Sequence, residues 1–152
     1  MDNLYQELIL EHNKNPRNFG ELKEGECLKQ EGLNPLCGDR LIVSLKLSED
    51  GEQIIEDVKI RSDGCAISRA SASMMSEAIK GKTVKDAIAI FHEFHDLLLK
   101  KHDPSVCPHL GKLEVFSNIW KYPSRVKCAA LPWHTLNEIM EQTSKPGQST
   151  SE

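Results

Sequence analysis

Three cysteines stand in settings where a thiol can do more than fill a core. Cys37 lies in Asn34-Pro35-Leu36-Cys37-Gly38-Asp39, Cys65 lies in Asp63-Gly64-Cys65-Ala66-Ile67-Ser68, and Cys128 follows Arg125-Val126-Lys127. The first two flank an alternating stretch that reads as a β-hairpin, so both loops can meet at one end of a sheet. Cys128 falls in the first turn of a helical pattern. The helix N-terminus and the cations Arg125 and Lys127 favour its thiolate. Asp39 sits two residues from Cys37, the step that puts two side chains on one side of an extended backbone. Three thiolates and a carboxylate suffice for tetrahedral zinc or for the irons of a small iron–sulfur cluster. Four such charges against one zinc ion leave about −2, which Lys127 or Arg125 would offset. The spacings match no zinc finger, and plainer readings stand beside each piece. Asp39 after Gly38 suits a turn or a cap, and Gly64 suits a tight strand-to-helix turn.

Other candidates carry less. Cys27 reads as a small apolar filler in a strand, and Met74 and Met75 as core fillers. Cys107-Pro108-His109 resembles half a metal site but has no evident partner pair. His92 and His95 lie three apart, without the four-residue step of a zinc-protease helix, and read as surface or boundary residues.

The elements that must position these residues follow from periodicity. Leu4, Leu8 and Ile9 mark a short amphipathic helix over 4–11, broken by Pro16 and Gly20. Weak strand potential surrounds Cys27 to Gln30. Leu41, Val43, Leu45 and Leu47 alternate, Ser48 to Gly51 turns, and Ile54, Val58 and Ile60 alternate again, giving a hairpin over 40–62. From Ser68 the chain becomes helical, with a short helix over 70–80 ended by Gly81. Thr83 caps a longer helix through Leu98. Lys100 to Pro108 reads as a loop, Leu110 to Ile119 as a short helix, and Pro123 opens a last helix reaching Met140. Strands first and helices afterward predict an α+β domain, a small antiparallel sheet with helices on one face.

The 152 residues, 39% hydrophobic and 28% charged, fit one domain with its own core, which excludes a small disulfide scaffold and a disordered chain. Residues 1–142 form that domain, and 143–152 are expected to be a disordered polar tail. A net charge of −4, no long basic run and 5% aromatics argue against nucleic-acid binding. No stretch approaches the ~20 apolar residues of a membrane span, and the acidic start Met1-Asp2-Asn3 is no signal peptide, so a cytoplasmic location is expected. In a reducing compartment five cysteines point to free thiols, ligands or catalysis.

Three motifs, in order, resemble the U-type iron–sulfur assembly proteins, the family of IscU, SufU and the N-terminal domain of NifU. They are Asn34 to Asp39, the run Gly64-Cys65-Ala66-Ile67-Ser68-Arg69-Ala70-Ser71-Ala72-Ser73-Met74-Met75, and Arg125-Val126-Lys127-Cys128-Ala129-Ala130-Leu131-Pro132-Trp133. The resemblance implies a three-stranded sheet with helices on one face, and Cys37, Asp39, Cys65 and Cys128 converging on an exposed edge. There they hold zinc or a nascent cluster and meet a pyridoxal-phosphate cysteine desulfurase of the SufS type. Lys127 in place of the histidine of IscU, and the long segment between Cys65 and Cys128, resemble the SufU branch. Tyr122-Pro123-Ser124-Arg125-Val126 replaces the Leu-Pro-Pro-Val-Lys motif that docks a chaperone in IscU. The SufU-like reading is a zinc-dependent acceptor of persulfide sulfur on Cys37. The alternative is a non-enzymatic scaffold that assembles a labile [2Fe–2S] cluster and passes it to apo-proteins. Arg125, Lys127, Gly38 and Gly64 are the supporting residues of either reading.

Overall fold

Alternation decides the sheet. In the computed structural model, which describes residues 2–23, 25, 27–34, 38–48, 51, 53–99 and 111–144, three antiparallel strands run in the order β1 (Leu28–Asn34), β2 (Asp39–Leu47), β3 (Ile55–Asp63). Leu41, Val43 and Leu45 of β2 and Val58 and Ile60 of β3 are fully or almost fully buried, while Arg40, Lys46 and Arg61 face outward. This is the period-two pattern of a sheet with one covered face. Asp39 belongs to the inward phase of β2, two residues before Leu41, and is only 1% exposed. Its near neighbour Asp63, paired beside Arg40, falls in the outward phase of β3 and is exposed.

The hairpin expected over 40–62 is present, but the sheet holds a second one. Asn34 pairs with Asp39, and the Gly38 N–H donates to the Asn34 carbonyl at 2.8 Å, so β1 and β2 are antiparallel neighbours up to their facing ends. Gly38 takes φ +73°, a left-handed conformation that favours glycine there. The segment from Asn34 to Asp39 is therefore the link between two strands rather than a loop ahead of the sheet. β1 extends well past Gln30. Gly32 lets it approach the last helix: a Cβ there would lie 2.0 Å from Thr135 Oγ1. The outer edge of β3 is partly covered, since the Gly20 N–H donates to the Ile60 carbonyl and the Ile60 N–H donates to the Asn18 carbonyl.

Of the four described helices, α1 (Asp2–Lys14), α2 (Ala66–Ile79), α3 (Val84–Leu98) and α4 (Pro123–Ser144), α2 and α4 pack on the inner face, α1 packs on α2, and α3 packs mainly on α4. α2 begins at Ala66, earlier than the expected Ala70, because Cys65 already caps it. Thr83 caps α3 as expected, accepting from the Asp86 N–H at 3.0 Å. Two 3₁₀ turns, Gly111–Phe116 and Ile119–Lys121, replace the expected short helix. Pro123 starts α4 at the position where a missing N–H costs nothing. That helix continues to Ser144, past Thr143 where a tail was expected. Met74, Met75, Phe94, Phe116, Trp133 and Leu136 fill the core between the layers. No described helix is long and apolar enough to cross a membrane.

Candidate metal centre

Three elements deliver one ligand each to the same corner. Asp39 is the first residue of β2 and points inward. Cys65 follows Gly64 at the end of β3, and Cys128 sits on the buried face of α4. One ligand atom from each lies within 4.8 Å of the other two. Among the described residues this is the one group of three or more His, Cys, Asp or Glu side chains so placed. Cys37, the fourth expected ligand, lies outside the described residues, as do Cys107 and His109.

The Asp39 carboxylate is held against Cys65 by both oxygens. Its Oδ1 accepts the Cys65 backbone N–H at 2.8 Å, and its Oδ2 stands 3.7 Å from Cys65 Sγ. Sulfur and oxygen ligands of one tetrahedral zinc ion lie about 3.6 Å apart, so the pair already has the edge length such an ion requires. Gly64 makes this approach possible. A Cβ at that position would sit 2.6 Å from Asp39 Oδ1 and 3.2 Å from Asp39 Cα. The glycine serves the strand-to-helix turn, and beyond that it leaves the space the carboxylate occupies.

The two described thiols differ. Cys65 is the N-cap of α2, with extended backbone (φ −72°, ψ 165°), and its sulfur accepts the Ser68 N–H at 3.4 Å. Cys128 is 6% exposed and lies more than a turn inside α4. Burial pushes its thiol well above the ordinary range, and the adjacent Cys65 thiol and Asp39 carboxylate push it the same way. This corrects the expectation that the helix start, Arg125 and Lys127 favour the thiolate of Cys128. The dipole effect fades within the first turn, Arg125 stacks on the Tyr122 ring at 4.7 Å, and Lys127 is exposed. A cation placed among the three ligand atoms reverses this balance, since it favours the anionic form of each. The donor set therefore fits a divalent metal better than it fits three protons.

Residues outside the motifs fix the geometry. Ser71 on α2 donates to the Ala129 carbonyl at 2.6 Å and accepts from Trp133 Nε1 at 3.2 Å, tying α2 to α4 beside Cys128. Pro132 has no N–H to close the helical bond to the Cys128 carbonyl, four residues back. Ser71 escaped the sequence reading because a serine in a run of small residues looks like close packing. The signal was the pairing of that run with a buried tryptophan, whose N–H needs an acceptor. His92 is exposed and His95 half-buried, as expected, although His95 lies edge-on to His134 at 5.4 Å. Burial and His95 lower the pKa of His134. Cys27 lies just before β1, half-exposed, with Sγ 3.4 Å from the Lys23 carbonyl, so it is not the strand filler expected.

The fold and this corner can be set against known proteins. Residues 4–129 match the family described as NifU-like N terminal domain. This chain belongs to the NifU-like N-terminal domain family. One relative in the family's range is the zinc-dependent sulfurtransferase SufU of Bacillus subtilis strain 168, 42% identical over 139 residues that cover 91% of this chain and 90% of that protein. Another is the iron–sulfur cluster assembly scaffold protein IscU of Streptococcus pyogenes serotype M1, 32% identical over 152 residues, 100% of this chain and 92% of that one. A crystal structure of a protein called hypothetical superposes with a TM-score of 0.81 at 33% identity, covering 93% of this chain and 99% of its own. The family fold is thus the three-stranded sheet with helices on one face that the motifs implied.

Proposed function

We propose that this NifU-like domain serves iron–sulfur cluster biogenesis as a zinc-dependent acceptor of persulfide sulfur, with Cys37 as the acceptor. Its donor is a pyridoxal-phosphate cysteine desulfurase of the SufS type, and its products pass to cluster-assembly or apo-acceptor proteins. The observation that carries this reading is the convergence of Asp39, Cys65 and Cys128 within 4.8 Å at one buried corner. The similarity to a protein named zinc-dependent sulfurtransferase supports it. Cys37 is two residues from Asp39, and the chain allows at most about 7 Å between their Cα atoms, a covalent limit that supports assigning it to the same corner.

Asp39, Cys65, Cys128 and Cys37 would hold the zinc. When bound, it supplies the positive charge that keeps these thiols as thiolates at neutral pH. Sulfur transfer itself is work for Cys37. Its thiolate attacks the outer sulfur of the donor's cysteine persulfide and a new S–S bond forms. The donor's S–S bond breaks, its cysteine leaves as thiolate, and the transferred sulfur carries the same proton and charge as before, so no outside oxidant is needed. Asp39 is a harder donor than the thiolates, which suits a site whose ligands exchange. Gly38 and Gly64 give the two turns their shape, and exposed Lys127 and Arg125 offset negative charge nearby.

The test is turnover of the cognate desulfurase with zinc-loaded protein, a thiol reductant and no iron. Large, saturable stimulation that vanishes in Cys37→Ala is expected, while an unimpaired Cys37→Ala protein would overturn the assignment. A second reading shares the same four residues, namely a scaffold on which a labile [2Fe–2S] cluster is built as cargo. The carboxylate of Asp39 favours it, since one oxygen ligand among thiolates leaves a cluster easier to hand on. Absence of stimulation, with transfer of a reconstituted cluster to an apo-ferredoxin, would select that reading.

A further inference from the structure

Beside the ligand corner the surface opens into an apolar groove of about 590 Å³, walled by the end of β1, the last turn of α3, the second 3₁₀ turn and the first half of α4. Three large apolar side chains in or beside it remain in water: Leu33 is 61% exposed, Leu99 42% and Tyr122 50%. Scattered exposed leucines need no explanation, but a contiguous set around a depression marks an interaction site. The groove adjoins the ligand corner through chain neighbours. Asn34 lines it and pairs in register with Asp39, and Lys127 lines it and precedes Cys128.

Charge says what fits there. The chain carries 23 acidic residues against 19 lysines and arginines, yet the stretch between Glu114 and Glu138 holds no carboxylate at all. That stretch contributes Lys121, Arg125 and Lys127, all exposed, and none of the described residues lining the groove is acidic. An otherwise acidic protein therefore presents one basic-rimmed apolar groove, beside the corner where sulfur would arrive. Complementary charge steers encounter, and a filled apolar pocket supplies holding energy.

We propose that the groove docks an acidic segment of the sulfur donor, with an apolar side chain seated between Leu33, Leu99 and Trp120 and carboxylates on the cationic rim. This rests on the sulfur-acceptor reading and adds where the donor is held. The groove would act before chemistry, positioning the persulfide toward Cys37, so its loss should weaken docking without changing the turnover of the docked complex.

Calorimetric titration of the full chain with the pyridoxal-phosphate cysteine desulfurase tests this, together with the chain concentration that half-saturates stimulation. Leu33→Asp with Leu99→Asp should raise both on the order of tenfold or more, leaving maximal stimulation and the melting temperature unchanged. Leu33→Lys with Leu99→Lys should weaken docking far less, because the lysine stems still cover apolar surface and their charge has the favourable sign. Binding by the aspartate pair at wild-type strength overturns the proposal, and equal weakening by both pairs overturns the acidic partner. The underlying reading fails separately. Should the wild-type chain dock through the groove yet give no stimulation, the donor surface stands and sulfur acceptance falls. Should it neither dock nor stimulate, both fall.

Discussion

Two buried polar clusters touch α2, and they end differently. Toward its middle, His12 of α1 is 1% exposed, with Nδ1 2.7 Å from Ser73 Oγ and Nε2 3.8 Å from Glu77. The Arg17 N–H donates to the same hydroxyl at 2.8 Å, and the Arg17 guanidinium reaches Glu77 at 3.6 Å. Every group there has a partner inside the protein. At the N-terminus of α2, Asp39 accepts the Cys65 N–H on Oδ1 and the Cys65 thiol on Oδ2, Cys65 Sγ accepts the Ser68 N–H, and Cys128 lies against both side chains. A row of serine, histidine and glutamate suggests catalysis on paper. With Ser73 fully buried, they form a clasp between α1 and α2. The first cluster joins groups that serve each other as donor and acceptor and so holds the fold, whereas the second joins two thiols and a carboxylate, groups that all become metal ligands once deprotonated.

The sharpest way to break this contrast is to crowd the second cluster. Gly64→Ala puts a methyl group 2.6 Å from Asp39 Oδ1 at a position outside the left-handed region, so the clash is its whole effect. Zinc affinity measured by competition with a chromogenic chelator is expected to fall by about fivefold to a hundredfold, as overpacking of about 1–3 kcal/mol implies. Unchanged affinity would mean that Asp39 is no ligand.

Next in size is Ser71→Ala, which strips the Ala129 carbonyl and Trp133 Nε1 of their shared partner. A loss of about 1–3 kcal/mol in chemical denaturation is expected, with a smaller weakening of zinc binding because α4 is less tightly fixed to α2. Equal melting of variant and wild type would remove Ser71 from the positioning set.

The smallest effect belongs to the clasp. Burial, with Arg17 and Lys112 nearby, lowers the pKa of His12 below its usual 6.5 despite opposing Glu77. The unfolded chain therefore binds the proton first as pH falls. Stability is full above about pH 6.5 and declines below it, by at most about 1.4 kcal/mol per pH unit for this group. His134, lowered likewise, adds a slope of its own. Denaturation across about pH 5 to 7.5 should show a shallower decline in His12→Gln than in wild type, and parallel curves would contradict it.

Much of this was legible in the residues. Alternation at Leu41, Val43 and Leu45 gave β2, the cap at Thr83 gave α3, and the cysteine-bearing motifs named the corner. β1 was harder, because Lys29-Gln30-Glu31-Gly32 is a polar edge strand with few apolar positions to reveal a period. Asp39 read as a possible turn residue, although its two-residue step from Leu41 already placed it on the inner face. The thiol of Cys128 was misjudged because nearness to cations in sequence says nothing about burial. The clamp through Ser71 needed two helices brought together, which local pattern does not supply.

The inward phase of Asp39 also constrains how such a protein can change length. Between Asp39 and Leu41 the strand admits added residues only in twos, since a single insertion would turn the carboxylate to solvent or the core leucines outward. Point substitutions can be sampled freely along this strand, but insertions face a rule of even numbers. Descendants that retain all three ligands should therefore vary in the connections beyond the strands and hold the count from ligand to core constant.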